Sequence, residues 1–160
     1  LHLCMLLHHQ FQHREQLPIS PFEHQIAELT LPPQDTMLLA SPDNIRLQAT
    51  TGLPVLVEAT TPSLISYVPQ IGPAIDAIYR EVYDYGFRIP SESAAPPTPW
   101  PDLWQQRSEA EWQDLAVRYG ITHVIAPVGC PLNLPQVVAE EDYALYAVGI
   151  GEQSGSRLLK

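Results

Sequence analysis

The amino-acid sequence predicts an α/β fold: a small three-layer domain with a central, mainly parallel sheet and a C-terminal antiparallel hairpin. The first observation is a set of short apolar runs without polar alternation, which is typical of strands buried on both faces. These runs are residues 37–40, 55–57 and 123–126. Segments with helical periodicity separate them, as crossovers between parallel strands do. The hairpin is predicted because the apolar residues 137–139 and 143–148 flank an acidic turn at 140–142.

The composition fits one globular domain. A chain of 160 residues buries about 70% of the surface that its unfolded form exposes. Eighteen acidic residues against eight basic ones give a net charge of −10. Nucleic-acid binders need Lys and Arg to displace phosphate counterions, so the charge excludes nucleic acid as a partner. The 17 prolines are about twice the usual share and indicate long irregular connections.

The chain divides into an N-terminal segment (1–17), the α/β domain (18–149) and a Gly/Ser-rich tail (150–160) that we expect to be flexible. The apolar start, residues 1–7, is much shorter than the ~20 residues that span a bilayer. It is interpreted either as the end of a truncated membrane helix or as a packing segment, and both interpretations stay open. The spacing of Cys4 and Cys130 does not indicate a disulfide.

The first helix of the domain is predicted from a capping box. Ser20 is placed as the N-cap, Pro21 stands at the first helical position, and Glu23 completes the box. Phe22 and Ile26 then repeat at helical spacing on one face. The buried run 37–40 follows as the first strand.

The middle of the domain reads as short helices between loops. Residues 44–51 are predicted to be helical and to end at Gly52, and the run 55–57 is the second strand. Residues 63–72 read as a loop. A helix is then predicted from Pro73 to about Tyr85, with its end at Gly86.

A long loop is predicted at residues 88–107, which contain five prolines and two tryptophans without a steady period. Trp100 and Trp104, with Tyr67 from the earlier loop, are the candidate interaction residues. The three tryptophans, Trp100, Trp104 and Trp112, would offer a platform to a carbohydrate or a lipid-linked ligand. Alternatively, the tryptophans fix the Pro-rich loop onto the domain, since indole rings bury a large apolar area.

The last helix has the strongest sequence signature. Ser108 and Glu111 form a second capping box, and Gly120 stands at the position after the helix. Trp112 and Tyr119 lie on its apolar face, so we expect both to be largely buried. The third strand, 123–126, follows directly.

No catalytic, cofactor or metal site is predicted. His9 and His13 have the one-turn spacing of two zinc ligands, and His8 precedes them, but no further ligand follows at a fixed spacing. Cys130 and His123 are the one nucleophile and base pair that merits a test, without a local motif to support it. The acidic turn at 140–142 reads as solvated.

Several stretches together resemble a known class of domain. They are "LPPQDTMLLASPDN" from Leu31, "ATTGLPVLVEA", "YVPQIGPAIDAIYREVYDYGF", "LWQQRSEAEWQDLAVRYGITHVIAP" and "LPQVVAEEDYALYAVG". Their order is similar to the C-terminal extracytoplasmic domain of large multi-pass bacterial membrane proteins. Some of those proteins resemble C-type glycosyltransferases that use lipid-linked sugars. The resemblance covers roughly residues 20–149.

The resemblance implies a location on the extracytoplasmic face of the bacterial inner membrane and a partner in the membrane-embedded part of the same protein. The catalytic acids of such proteins lie in loops between membrane helices, and no residue here matches them. The expected function is therefore that of a non-catalytic accessory domain. The alternative is a free-standing small-ligand-binding α/β module, and an independent hydrolase or thiol enzyme ranks last.

Overall fold

The structure of the protein, a computed structural model, describes residues 19–42, 44, 46–86 and 98–149. The helices are α1 (Pro21–Glu28), α2 (Leu47–Thr51), α3 (Gly72–Tyr83), α4 (Trp100–Gln106) and α5 (Glu109–Tyr119). The strands are β1 (Leu38–Leu39), β2 (His123–Pro127), β3 (Gln136–Ala139) and β4 (Tyr143–Ala147). Short 3-10 turns occupy Pro33–Asp35, Thr61–Ser66 and Pro69–Ile71.

The four strands form one sheet in the order β1-β2-β4-β3. β1 and β2 are parallel, which confirms the predicted pairing of the runs at 37–40 and 123–126. β4 is antiparallel to both β2 and β3. The α/β class is therefore correct, but the sheet is mixed rather than mainly parallel, because β4 and not β3 pairs with β2.

The run at 55–57 adds a single parallel bridge between Val55 and Leu38 instead of a full strand. The next backbone donors explain why the ladder stops. The Glu58 N–H donates to the Thr61 hydroxyl (2.8 Å) and the Ala59 N–H to the Asn44 carbonyl (2.8 Å). These groups are thus unavailable to the sheet.

Alternate strand residues point to opposite sides of the sheet, and the buried residues form two hydrophobic clusters. We call one side the aliphatic face. It combines Leu38, Ile125 and Leu145 with Phe22, Ile26 and Leu47 from α1 and α2. We call the other the aromatic face. It combines Leu39, Val124 and Tyr146 with Tyr79, Trp104 and Trp112 from α3, α4 and α5.

The helix starts and ends are largely those that the sequence predicts. Both capping boxes are present, at Ser20 with Glu23 and at Ser108 with Glu111. Gly120 adopts the left-handed conformation at the end of α5 (φ 73°). Trp112 is fully buried as expected. Tyr119 is only half-buried, because its hydroxyl reaches out to the Glu81 carboxylate.

Two predicted boundaries are wrong. Helix α3 ends at Asp84, which takes the left-handed conformation (φ 55°), and not at Gly86. Asp tolerates this region because its short polar side chain bonds locally. The predicted loop 88–107 contains α4, which is too short to show a helical period in the sequence. Its prolines do not prevent it, since Pro101 lies in the first turn, where no intrahelical N–H is needed.

Several predictions concern parts of the chain outside the described residues. These parts are the segment 1–17 with its histidines and Cys4, residues 88–97 of the predicted loop 88–107, and the tail 150–160. Within the described ranges, no helix combines the length and the apolarity needed to cross a membrane.

Candidate functional site

A cavity of about 630 Å³ opens at the carboxyl ends of β1 and of the run 55–57. We call it the aromatic cleft. Its described lining consists of Pro42, Ala59, Pro62, Tyr79, Tyr83, Asp84, Tyr85, Thr98, Pro99 and Trp100. These residues come from the segments that leave the two strands, from the end of α3 and from the start of α4.

The connections that leave the two strands at the cleft take opposite sides of the sheet. β1 has the run 55–57 on one side and β2 on the other. The first connection, through α2, crosses the aliphatic face, and the second, through α3, α4 and α5, crosses the aromatic face. Open α/β sheets bind ligands outside the carboxyl ends of their strands. The cleft lies at this edge of the sheet, which favours it as the binding site.

Two tyrosines of α3 form the floor. The Tyr79 hydroxyl donates to the Glu58 carbonyl (3.0 Å) and the Tyr83 hydroxyl to the Ala40 carbonyl (2.7 Å). Both carbonyls lie where the chain leaves the sheet, so these bonds fasten α3 to its carboxyl edge. Burial raises the pKa of Tyr79, which keeps its phenol protonated as a donor.

The wall of the cleft is Trp100, which packs on the buried Trp104. The two ring centroids lie 4.9 Å apart with the planes at 70°. The Trp104 indole N–H donates to the Val82 carbonyl (2.8 Å), and its ring also contacts Tyr83 and Trp112. Trp104 is fully buried and is therefore not an interaction residue, contrary to the prediction. It anchors α4, as the alternative interpretation holds, while Trp100 faces the cleft.

The edge of the cleft carries a charged side chain, Asp84. The Asp84 carboxylate accepts a hydrogen bond from the Thr98 N–H (2.8 Å), which links the end of α3 to the start of α4. Next to it, Tyr85 is more than half exposed. Asp84 is the one carboxylate in the described lining. The described lining thus presents aromatic and proline surfaces with one negatively charged hydrogen-bond acceptor.

Tyr67 is not part of this site. It follows the 3-10 turn Thr61–Ser66 and is 82% exposed, but it does not line the cleft. The three candidate residues therefore occupy three different environments: Trp100 in the cleft, Trp104 in the core and Tyr67 on the surface.

The structure does not bring Cys130 and His123 together. His123 begins β2, and Cys130 follows the end of that strand. Five residues of strand separate their ends by about 13 Å. Burial raises the pKa of the Cys130 thiol, which disfavours the nucleophilic thiolate. Burial lowers the pKa of His123, whose Nδ1 lies 3.0 Å from the Thr122 hydroxyl oxygen. The pairing of a thiol with a base is therefore wrong.

A search of the described residues finds no group of three His, Cys, Asp or Glu side chains that could hold a metal ion. Glu140, from the acidic turn, accepts a hydrogen bond from the Gln25 amide, so it serves to join the hairpin to α1.

Sequence reasoning missed the residues at the end of α3. The sequence pattern places Tyr79, Tyr83 and Asp84 within one predicted helix and identifies no candidate site residue among them. A signal was present: three tyrosines and an aspartate within seven residues at a helix end. Such polar aromatic side chains are used where one end of the ring is buried and the other meets a partner.

Comparison of the chain with protein-family models, with curated proteins and with solved structures finds no match.

Proposed function

We propose that this chain is a non-catalytic accessory domain that binds a neutral carbohydrate group in the aromatic cleft. The observation that supports it is the position of the cleft, at the carboxyl edge of the parallel strands, with Trp100 on its wall. The resemblance to extracytoplasmic domains of glycosyltransferase-like membrane proteins suggests the source of the ligand, a sugar that such a protein handles on a lipid carrier.

The chemistry of the lining favours a neutral, hydroxyl-rich ligand. The C–H edges of a sugar ring are weakly positive and are attracted to the negative face of an aromatic ring, here Trp100 or Tyr85. Hydroxyl groups donate well to a carboxylate such as Asp84. A phosphate would be repelled by the same carboxylate and by the net charge of −10.

A binding role fits the cleft better than catalysis. General acid–base chemistry needs two titratable groups that converge with separated pKa values. The described lining holds one carboxylate, Asp84, and that group is engaged by the Thr98 N–H. Tyr79 and Tyr83 use their hydroxyls to bond backbone carbonyls.

The proposal includes a three-layer architecture and a membrane context. A hydrophobic cluster on each face of the sheet supports the three layers. The extracytoplasmic face of the bacterial inner membrane, with the membrane-embedded part of the same protein as partner, follows from the resemblance alone. The rival function, a free-standing ligand-binding module, uses the same cleft and differs in having no membrane anchor.

The test is a titration of the chain with glucose and with N-acetylglucosamine, followed by NMR of the tryptophan indole N–H groups. The indole signal of Trp100 should shift, while those of the buried Trp104 and Trp112 should change little. Glucose 6-phosphate should bind more weakly than glucose, because of its charge. The variant Trp100→Ala should weaken binding about tenfold or more, as loss of an aromatic anchor does.

Tyr67→Ala is the matched control, because it removes an exposed aromatic residue outside the cleft. Equal loss of sugar binding in both variants, or tighter binding of the phosphorylated sugar, would refute the proposed function.

A further inference from the structure

The segment from Ala59 to Ile75 contains no Asp, Glu, Lys or Arg, although the chain as a whole has 26 such residues (18 acidic and 8 basic). It connects the run 55–57 to α3 through the two 3-10 turns Thr61–Ser66 and Pro69–Ile71. It starts at the aromatic cleft, since Ala59 and Pro62 line it. An uncharged surface thus extends directly from the mouth of the cleft.

Three apolar side chains of this segment point to the solvent. Leu64 is 50% exposed, Tyr67 82% and Val68 44%, and we call them the apolar rim. They lie together on one turn, because the N–H groups of Tyr67 and Val68 both donate to the Leu64 carbonyl (3.0 and 2.8 Å). A single exposed apolar residue, such as Val117 on α5, needs no explanation. A clustered set of this kind marks an interaction surface.

The outward orientation of the rim is fixed by the packing behind it. Ile65 and Ile71, in the same segment, pack against the core of the aromatic face. A Cβ atom on Gly72 would lie 3.3 Å from the Cγ2 atom of Ile65, so the turn sits closely on the start of α3. Rotating the rim inward would expose these two isoleucines. The packing of the fold therefore keeps the apolar rim exposed.

The backbone of the segment satisfies many of its own hydrogen bonds in local turns. The N–H groups of Thr61, Ser63 and Ile71 donate to the carbonyls of Glu58, Thr60 and Val68, at 2.9, 3.0 and 3.2 Å. An unbonded backbone group costs several kcal/mol in an apolar medium, which excludes most loops from lipid. Because the turns of this segment form these hydrogen bonds internally, its backbone incurs only part of that cost in lipid. The internal bonding therefore favours contact with lipid.

We propose that the apolar rim contacts the surface of a lipid bilayer and thereby holds the mouth of the aromatic cleft at the membrane. The inference rests on the proposed function, in which the cleft binds a sugar presented on a lipid. The side-chain set fits the lipid interface, where Tyr places its ring among the acyl chains and its hydroxyl in the headgroups. Three side chains are too few for a standard protein interface, which buries about 800 Å² on each partner. Lipid contact needs no complementary surface and scales with the apolar area.

The charge of the chain selects the lipid class. The rim supplies no cation, and the net charge of −10 is repelled by an anionic leaflet. The bilayer that the rim contacts best is therefore zwitterionic. This distinguishes it from basic membrane-binding surfaces, whose affinity increases with anionic lipid.

A fluorophore at position 67 tests the contact. In the 160-residue chain with Cys4→Ser and Cys130→Ala, the variant Tyr67→Cys is labelled with an environment-sensitive dye (NBD) and titrated with phosphatidylcholine vesicles. We expect a blue shift and about a twofold or larger gain in emission as the dye leaves water. The matched control is the dye at Val117→Cys, a position that is 77% exposed on α5. It should not respond. Circular dichroism checks that each variant is folded.

The lipid dependence gives the second readout. Replacing about a third of the phosphatidylcholine by phosphatidylglycerol should weaken the response at position 67. The response should also be lost when Leu64→Ser and Val68→Ser are added. An absent response, an equal response at 117, or a stronger one on the anionic vesicles would overturn the inference. Attachment through the N-terminal segment would not mimic it, because the dye reports only its own surroundings.

The inference about the apolar rim and the proposed function of the cleft can be tested separately. Trp100→Ala should leave the vesicle response at 67 unchanged, and the triple variant Leu64→Ser, Tyr67→Ser, Val68→Ser should leave sugar binding unchanged. Sugar binding without vesicle binding would refute only the inference about the apolar rim. Vesicle binding without sugar binding would refute the proposed function.

Discussion

The two hydrophobic clusters of the domain are built in different ways. On the aliphatic face, α1 and α2 bury Phe22, Ile26 and Leu47, and a carboxylate joins the two helices. Glu23 accepts hydrogen bonds from the Ser20 N–H (2.8 Å) and the Thr50 hydroxyl (3.0 Å), and it pairs with Arg46 (3.4 Å). On the aromatic face, tyrosine and tryptophan side chains fill the core and donate to backbone carbonyls.

The difference shows how one fold separates stability from binding. Aliphatic side chains are short and end inside the core. Aromatic side chains extend further, so a stack that begins in the core at Trp112 continues through Trp104 to Trp100 at the surface. The cleft lies at the outer end of that stack. The aromatic face therefore supports both the core and the candidate site, whereas the cavities beside the aliphatic face are smaller, at about 240 and 190 Å³.

The largest effect is expected from Trp104→Ala, which removes the centre of the aromatic stack. The side chain is fully buried and its indole bonds Val82. The variant should lose about 3–5 kcal/mol of unfolding free energy, as large-to-small substitutions of buried aromatic residues do. Urea denaturation followed by circular dichroism measures it. Trp100→Ala, at the half-buried end of the stack, should cost much less. Equal losses would mean that Trp100 is core as well.

A smaller effect, about 1 kcal/mol or less, is expected on the aliphatic face from Glu23→Gln, because the amide oxygen still accepts the Ser20 N–H but the negative charge that faces the helix N-terminus and Arg46 is lost. Burial by itself would raise the pKa of Glu23, but hydrogen bonds from Ser20 and Thr50 and the charge of Arg46 together lower it below the ordinary value of 4.5. The stabilisation is therefore complete above the pKa of the unfolded state. It is lost as the pH falls through the lower pKa of the folded state.

Unfolding free energies measured between pH 6 and pH 3 test this. The wild-type chain should lose more stability over that interval than Glu23→Gln, which lacks the titrating group. Parallel pH profiles would show that Glu23 contributes no linkage. Glu28→Gln is the control, because Glu28 lies on the same helix and is exposed.

Local signals in the sequence predicted much of the fold. Ser20 and Ser108 identify two helix starts, and the β-branched run at 123–126 identifies β2, because capping and burial act within a few residues. The order of the strands could not be predicted this way. β4 pairs with β2 through contacts that depend on how the hairpin docks, and only tertiary packing decides that.

The candidate site was predictable only in part for the same reason. Trp100 is a candidate in the sequence because it is a tryptophan within a Pro-rich segment. Its role depends on Tyr83 and Asp84, which approach it because α3 and α4 pack together. Trp104, four residues from Trp100, looks equivalent in the sequence. One turn of helix α4 places the first at the cleft and the second in the core.

The smallest effect on stability, and the sharpest test of the polar part of the cleft, is expected from Asp84→Asn. Asn tolerates the left-handed conformation as Asp does, and its carbonyl oxygen can still accept the Thr98 N–H, so the unfolding free energy should change by less than about 0.5 kcal/mol. The charge is lost, however, and hydrogen bonds to a carboxylate are about twice as strong as those to a neutral acceptor. Binding of glucose should therefore weaken several-fold while the fold is preserved. Asp114→Asn on α5, at an exposed position away from the cleft, controls for the change in net charge. If Asp84→Asn binds glucose as the wild-type chain does, Asp84 serves only to cap α3, and the cleft recognises its ligand by its rings alone.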